Sequence, residues 1–197
     1  VVAVDPRVVY DPVAARFYFV SHKYTCNSSS LYLCVSKSSD PLSLGPTDWY
    51  QYVFDMTQRA AGDTAAGDYP SIGYDHQAIY VSLAMFSLPF DTGCPSQASG
   101  QFRRCSVLIF DKAAALTGAL AGFSRVDTPD GIASASYLQA TVVIGSASPG
   151  NVAYFADVSW TNPAKVRLWA LSDPLGTPTL ATALSDRFAA SVMFVGI

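Results

Sequence analysis

Two aspartates in matching contexts are the first candidates for chemistry. Asp11 follows Val9-Tyr10 and Asp75 follows Gly73-Tyr74, 64 residues apart. Carboxylates at corresponding turns of a repeated fold share one end of the molecule. There they could bind a cationic ligand or calcium, since calcium collects several oxygens at about 2.3–2.6 Å. The simpler use, and the favoured one, is that each aspartate accepts hydrogen bonds from its own turn. No cofactor other than that calcium is expected.

Other catalytic material is sparse. The chain has two histidines, His22 at the end of a predicted strand and His76 in a predicted tight turn, and both are expected to be exposed. A general base would have to be one of them or a carboxylate with a raised pKa. No nucleophile elbow, zinc-protease helix motif or phosphate-cradling glycine loop occurs. Asp5 and Asp68 precede predicted first strands, and Asp40 and Asp173 follow predicted third strands. Their repetition points to a structural job. Trp49, Trp160 and Trp169 could stack on sugars, but packing between sheets is the default for such residues.

The four cysteines form two close pairs, Cys26 with Cys34 and Cys94 with Cys105, without the spacing or histidine company of a zinc site. Each pair falls between the second and third strands of its repeat, so two local disulfides are expected. Each would add about 2–3 kcal/mol in the loop-entropy picture. Disulfides imply an oxidising setting, extracellular or secreted. Asn27-Ser28-Ser29 is a glycosylation sequon inside the first cysteine loop, which would make the product a glycoprotein.

The elements that must position these residues repeat. Pro6 and Pro70, Tyr10 and Tyr74, and Asp11 and Asp75 share the 64-residue offset, and Asp40-Pro41-Leu42 recurs as Asp173-Pro174-Leu175 at 133. Alternating aromatic and β-branched runs give predicted strands at Arg7–Tyr10, Arg16–His22, Leu31–Ser36 and Trp49–Asp55. After an Ala- and Gly-rich loop from Ala60 to Gly67 the pattern returns at Ser71–Tyr74, Ala78–Ser87, Ser106–Phe110 and near Phe123–Val126, with an inserted loop at Pro89–Arg104 and a short helical turn within Lys112–Leu120. A third unit opens at Ala140–Ile144, turns at Ser148–Asn151, and continues through Val152–Val158, Val166–Ser172 and Thr179–Leu184. Four antiparallel strands per repeat of about 65 residues predict an all-β β-propeller with about three blades, near 5–60, 68–128 and 138–185, and the start of another at 186–197. Residues 1–197 would form one domain or part of one. The alternative is a β-sandwich, which has no reason to repeat these motifs at fixed spacing.

The Ser39-Asp40-Pro41 and Ser172-Asp173-Pro174 turns, with Ser38 two residues before Asp40 and Trp49 downstream, resemble the Asp-box turns of secreted sialidase-like propellers. Leu42 stands where the box has glycine. The resemblance implies the propeller fold; it carries over no arginine triad, tyrosine nucleophile or acidic partner, so no catalytic residue is assigned.

Charge narrows the partners. A formal net charge of −3, with 12 scattered Lys and Arg residues, argues against nucleic acid or an anionic membrane. No apolar run approaches the roughly 18 residues of a membrane-spanning helix, so no membrane insertion is expected. The expected function is a non-catalytic extracellular module for protein or glycan binding or for structural assembly. The alternative is a sialidase-like, carbohydrate-active glycoside hydrolase whose active residues lie in other blades or in the Pro89–Arg104 loop. Three blades fall short of the four to eight that close a ring. The remaining blades of a longer chain, or other copies in an oligomer or filament, are therefore the expected partners.

Overall fold

The computed structural model describes residues 3–25, 28–60, 63–87, 101–131, 137–145, 151–158 and 165–187. Among them the chain is all-β, with three antiparallel sheets formed in chain order and one short helix. The first sheet is the meander β1 (Val4–Asp11), β2 (Arg16–Tyr24), β3 (Ser29–Ser36) and β4 (Trp49–Asp55). The second has five strands, β5 (Gln58–Ala60), β6 (Asp63–Tyr74), β7 (Ala78–Ser87), β8 (Phe102–Asp111) and β9 (Ser124–Asp127). The third contains β10 (Gln139–Ala140), β11 (Val152–Val158), β12 (Lys165–Ser172) and β13 (Thr179–Arg187).

The helix α1 (Lys112–Thr117) directly follows β8. Asp111 caps it, its carboxylate accepting the Ala114 N–H at 3.0 Å, and Gly118 ends it at φ 82°. This is the helical turn expected within Lys112–Leu120.

Strand periodicity decides how the sheets stack. Tyr18, Val20, Leu31, Leu33 and Val35 occupy alternate positions of β2 and β3 and are all 0% exposed, facing the second sheet. The second sheet is covered on both sides, and every residue from Ala78 to Met85 in β7 is buried. Its odd-numbered positions, such as Ile79, Val81 and Leu83, pack against the first sheet. Tyr80 and Ala78 pack against Phe155, Trp169 and Leu171 of the third. A sheet sandwiched between two others loses the polar-out alternation of a surface strand.

β6 of the second sheet runs close to both β1 and β10. Tyr74 makes a parallel bridge to Val142, and the Val143 N–H donates to Tyr74 O at 2.9 Å. Gly73 permits this approach: a Cβ there would lie 2.1 Å from the Thr141 carbonyl oxygen.

The predicted strands hold, with three differences. The Ala- and Gly-rich segment is a strand, because β6 begins at Asp63 and pairs with both β5 and β7. The opening of the third unit is reduced to the two residues of β10 beside the Val142 bridge. The third difference concerns the openings of the first two repeats. A bulge places Asp5 and Pro6 opposite Ser21 in β1, and another places Tyr69 and Pro70 opposite Leu83 in β6. At the 64-residue offset Asp5 corresponds to Tyr69, and Asp68 to Val4, so the two aspartates are not equivalent. Most of the Pro89–Arg104 insert, the Ser148–Gly150 part of the third unit's turn and positions 188–197 of the expected further blade lie outside the described residues.

Candidate functional site

Asp11 ends β1 and Asp75 follows β6, and each closes its turn in the same way. Asp11 Oδ1 accepts the Val13 and Ala14 N–H groups at 2.9 and 3.1 Å, and Oδ2 accepts the Tyr18 hydroxyl at 2.9 Å. Asp75 Oδ1 accepts the Gln77 and Ala78 N–H groups at 2.8 and 2.9 Å, and Oδ2 accepts the Tyr80 hydroxyl at 2.8 Å. Both carboxylates are buried. A buried carboxylate is tolerated because its lone pairs are met by donors.

Lys112 joins the two turns. Its Nζ lies 2.5 Å from Asp11 Oδ2, donates to Asp75 O at 2.7 Å and sits 5.1 Å from the Tyr74 ring centroid. Burial pushes the Asp11 carboxyl up, but Lys112, the turn N–H of Ala14 and the Tyr18 hydroxyl outweigh it and leave the pKa lowered. Burial first, and then the neighbouring carboxylate, raise the Tyr18 and Tyr80 hydroxyls far above their ordinary value. Lys112 thus links the Asp11 carboxylate to the Asp75 backbone carbonyl. The positive charge beside Asp11 is a lysine of this chain, whose only signal in the sequence was its place immediately after β8.

No protein-family model matches the chain, and no curated protein does.

At the opposite end of β1, about 20 Å away at 3.3 Å per residue, a second cluster joins the first two sheets. His22, on the face of β2 that meets the second sheet, is 0% exposed. This corrects its expected place at an exposed strand end. Its Nε2 lies 2.8 Å from Asp68 Oδ1 and its Nδ1 4.0 Å from Asp5 Oδ2. The carboxylates are about two-fifths exposed, 37% for Asp5 and 43% for Asp68. Neither ring nitrogen makes an aligned hydrogen bond, the short contact to Asp68 lying off the direction such a bond requires. The His22 ring stacks on Tyr24, with centroids 5.7 Å apart.

The bulges aim the carboxylates. Asp5 takes a left-handed conformation, φ 49°, immediately before Pro6, and Tyr69 does so at φ 56° before Pro70. A positive φ is uncommon outside glycine and strained for a tyrosine. The close approach of His22 outweighs burial and holds the Asp68 carboxyl below its ordinary pKa. In the second sheet the strand position corresponding to His22 is Ala84, since Val4 pairs with His22 and Asp68 with Ala84. The cluster therefore occurs once, unlike the Asp–Tyr turn.

The remaining predicted residues are dispersed. His76 is exposed in its turn, as expected. Trp169 packs between the second and third sheets at 4% exposure, and its Nε1 donates to Asp157 Oδ1 at 3.0 Å. Asp157 also takes the Arg167 Nε at 3.0 Å and pairs with Arg167 Nη2, a buried ion pair inside the second core. Trp49 is buried at the edge of the first sheet, where its Nε1 donates to Ser43 O at 2.8 Å. Asp173 accepts the Thr177 N–H at 2.7 Å, whereas the Asp40 turn is closed by Ser38 Oγ, which accepts the Asp40 N–H at 3.3 Å.

No disulfide joins the described residues. Cys34 is a half-buried free thiol on the outer face of the first sheet, and burial raises its pKa. Cys105 is buried against the third sheet with its thiol pushed up to about 12, chiefly by burial. The register makes Leu31, and not Cys34, the counterpart of Cys105, so the second members of the two pairs do not occupy matching positions. Cys26, Cys94, the Asn27 sequon and Trp160 lie outside the described residues.

Proposed function

We propose that this chain is a non-catalytic module of propeller type that works by assembly, its outer sheet faces packing against further four-stranded units of the same kind. One comparison within the molecule carries this reading. Ile72 and Tyr74 are 6% and 1% exposed because the first sheet covers them. Their counterparts in the first sheet, Val8 and Tyr10, are 61% and 41% exposed on its outer face. Phe17 and Phe19 lie opposite them in β2, and Val53 on β4 is 61% exposed. At the other end of the stack, Tyr154 and Val158 of β11 are 40% and 48% exposed while Phe155 between them is buried. Large apolar side chains exposed on a sheet face mark interaction sites when they gather into a patch.

One outward face has the pattern that receives a preceding sheet and the other the pattern that meets a following one. Such head-to-tail complementarity builds rings or filaments from copies, or continues into further blades of one polypeptide. The Asn27 sequon suits a secreted setting, and the Asp173 turn suits the sialidase-like resemblance. The test is Val8→Asp combined with Val53→Asp. Both sites are exposed in the single chain, so folding should survive and self-association in sedimentation should be lost. Unchanged sedimentation of an assembled species would refute the assignment of this face.

A further inference from the structure

We propose that Asp5, His22 and Asp68 form a binding site for a divalent transition-metal ion of the zinc class, clamping the first sheet to the second. Each residue offers one ligand atom, and these atoms lie within 4.8 Å of one another. An ion with ligands at about 2.0–2.2 Å needs the two carboxylates to swing inward from that spacing, and both have partly exposed side chains that can do so. His22 is already fixed within the core.

Three observations favour a metal over a purely structural contact. His22 is completely buried, and neither ring nitrogen has an aligned hydrogen bond, so a polar ring in the core lacks a directed partner although the Asp68 carboxylate lies 2.8 Å away. Two carboxylates converge on one imidazole, so a neutral ring leaves two negative charges that a divalent ion balances. The site is unrepeated, unlike the Asp–Tyr turn: at the corresponding points of the second sheet stand Ala84 and Tyr69. Imidazole with carboxylate oxygen suits zinc and its neighbours, while calcium prefers an all-oxygen shell. The ion takes one ring nitrogen and one oxygen from each aspartate. Its remaining positions face water between the exposed carboxylates. The proposal is independent of the assembly reading, since all three residues belong to one chain.

The experiment uses the full chain after chelator treatment. Zn2+ is titrated by calorimetry, and Co2+ by its visible spectrum, which also reports thiolate ligation. One-to-one binding without a sulfur-to-cobalt charge-transfer band, unaffected by excess Ca2+, is expected. Asp5→Asn and Asp68→Asn alter the partly exposed ligands and leave the buried ring in place. Each should weaken binding by at least the 10–100-fold typical of losing even an outer-shell partner, and each should abolish the rise in melting temperature that Zn2+ gives the parent. Absence of saturable binding, or binding that survives both substitutions, would overturn the site and leave the cluster as a structural contact between the first two sheets.

Discussion

Replacing Lys112 by Met removes a positive charge while keeping the length of the side chain. Asp11, 0% exposed and 2.5 Å from the lost ammonium, is then a buried carboxylate without its counter-charge. At an effective dielectric constant of 20 the direct attraction at this distance is about 6–7 kcal/mol, much of which offsets the cost of dehydrating both ions. Breaking a buried pair on one side costs about 3–5 kcal/mol. Asp11 lies at the end of a sheet and keeps its turn N–H groups and Tyr18, so the lower end, about 3 kcal/mol, is expected for Lys112→Met. Asp11→Asn retains an oxygen for the turn, and the double variant should recover about 2 kcal/mol relative to the sum of the singles, within the range seen for contacting residues.

The pH dependence gives the same test a sign. Asp11 titrates in the folded chain below its ordinary 3.8, so it adds stability above pH 3.8 that is lost as pH falls through the lower folded value. In Lys112→Met burial is the dominant influence left, the folded pKa rises, and the gap between variant and parent should narrow on acidification. Denaturant unfolding of the four proteins at neutral and acid pH supplies the measurement. A single-variant cost under about 1 kcal/mol, or strict additivity, would refute the claim that Lys112 neutralises Asp11.

Two further outcomes follow from packing. Gly73→Ala puts a methyl group 2.1 Å from the Thr141 carbonyl oxygen, so β10 must part from β6; hydrogen exchange of the Val143 amide, which donates to Tyr74 O, should accelerate more than exchange in β2. Equal acceleration throughout would contradict a local effect. Native-state alkylation should leave Cys105 untouched until unfolding, because its thiol is buried and its pKa is about 12. Rapid labelling of Cys105 in the folded chain would contradict the buried second core.

Much of the fold was legible because its devices recur. Asp11 and Asp75 mark turns that their own carboxylates close, and alternation in Arg16–Tyr24 and Ser29–Ser36 separates the face that meets the second sheet from the other. What periodicity could not show was which chain segment covers a face. The continuous burial of Ala78–Met85 arises from a sheet on either side, and His22 reads as a strand-end polar residue until the start of β6 is laid over it. Asp5 and Asp68 looked like one repeated position because both lie just ahead of a proline; Asp5 adjoins Pro6 whereas Tyr69 separates Asp68 from Pro70, and only the folded chain shows them converging on His22. Lys112 was hidden for a different reason, since its partners at Asp11 and Asp75 are distant in sequence and it stands at the head of an alanine run.

The central claim, that the outer faces of this stack are made to be covered, is most directly tested by light scattering of the purified chain combined with binding of a dye that reports exposed apolar surface. Val8, Tyr10 and Val53 on one face, and Tyr154 and Val158 on the other, predict a species larger than one chain, or a single chain that binds the dye strongly while its unfolding remains cooperative. A monodisperse single chain that unfolds cooperatively and leaves the dye unbound would contradict it.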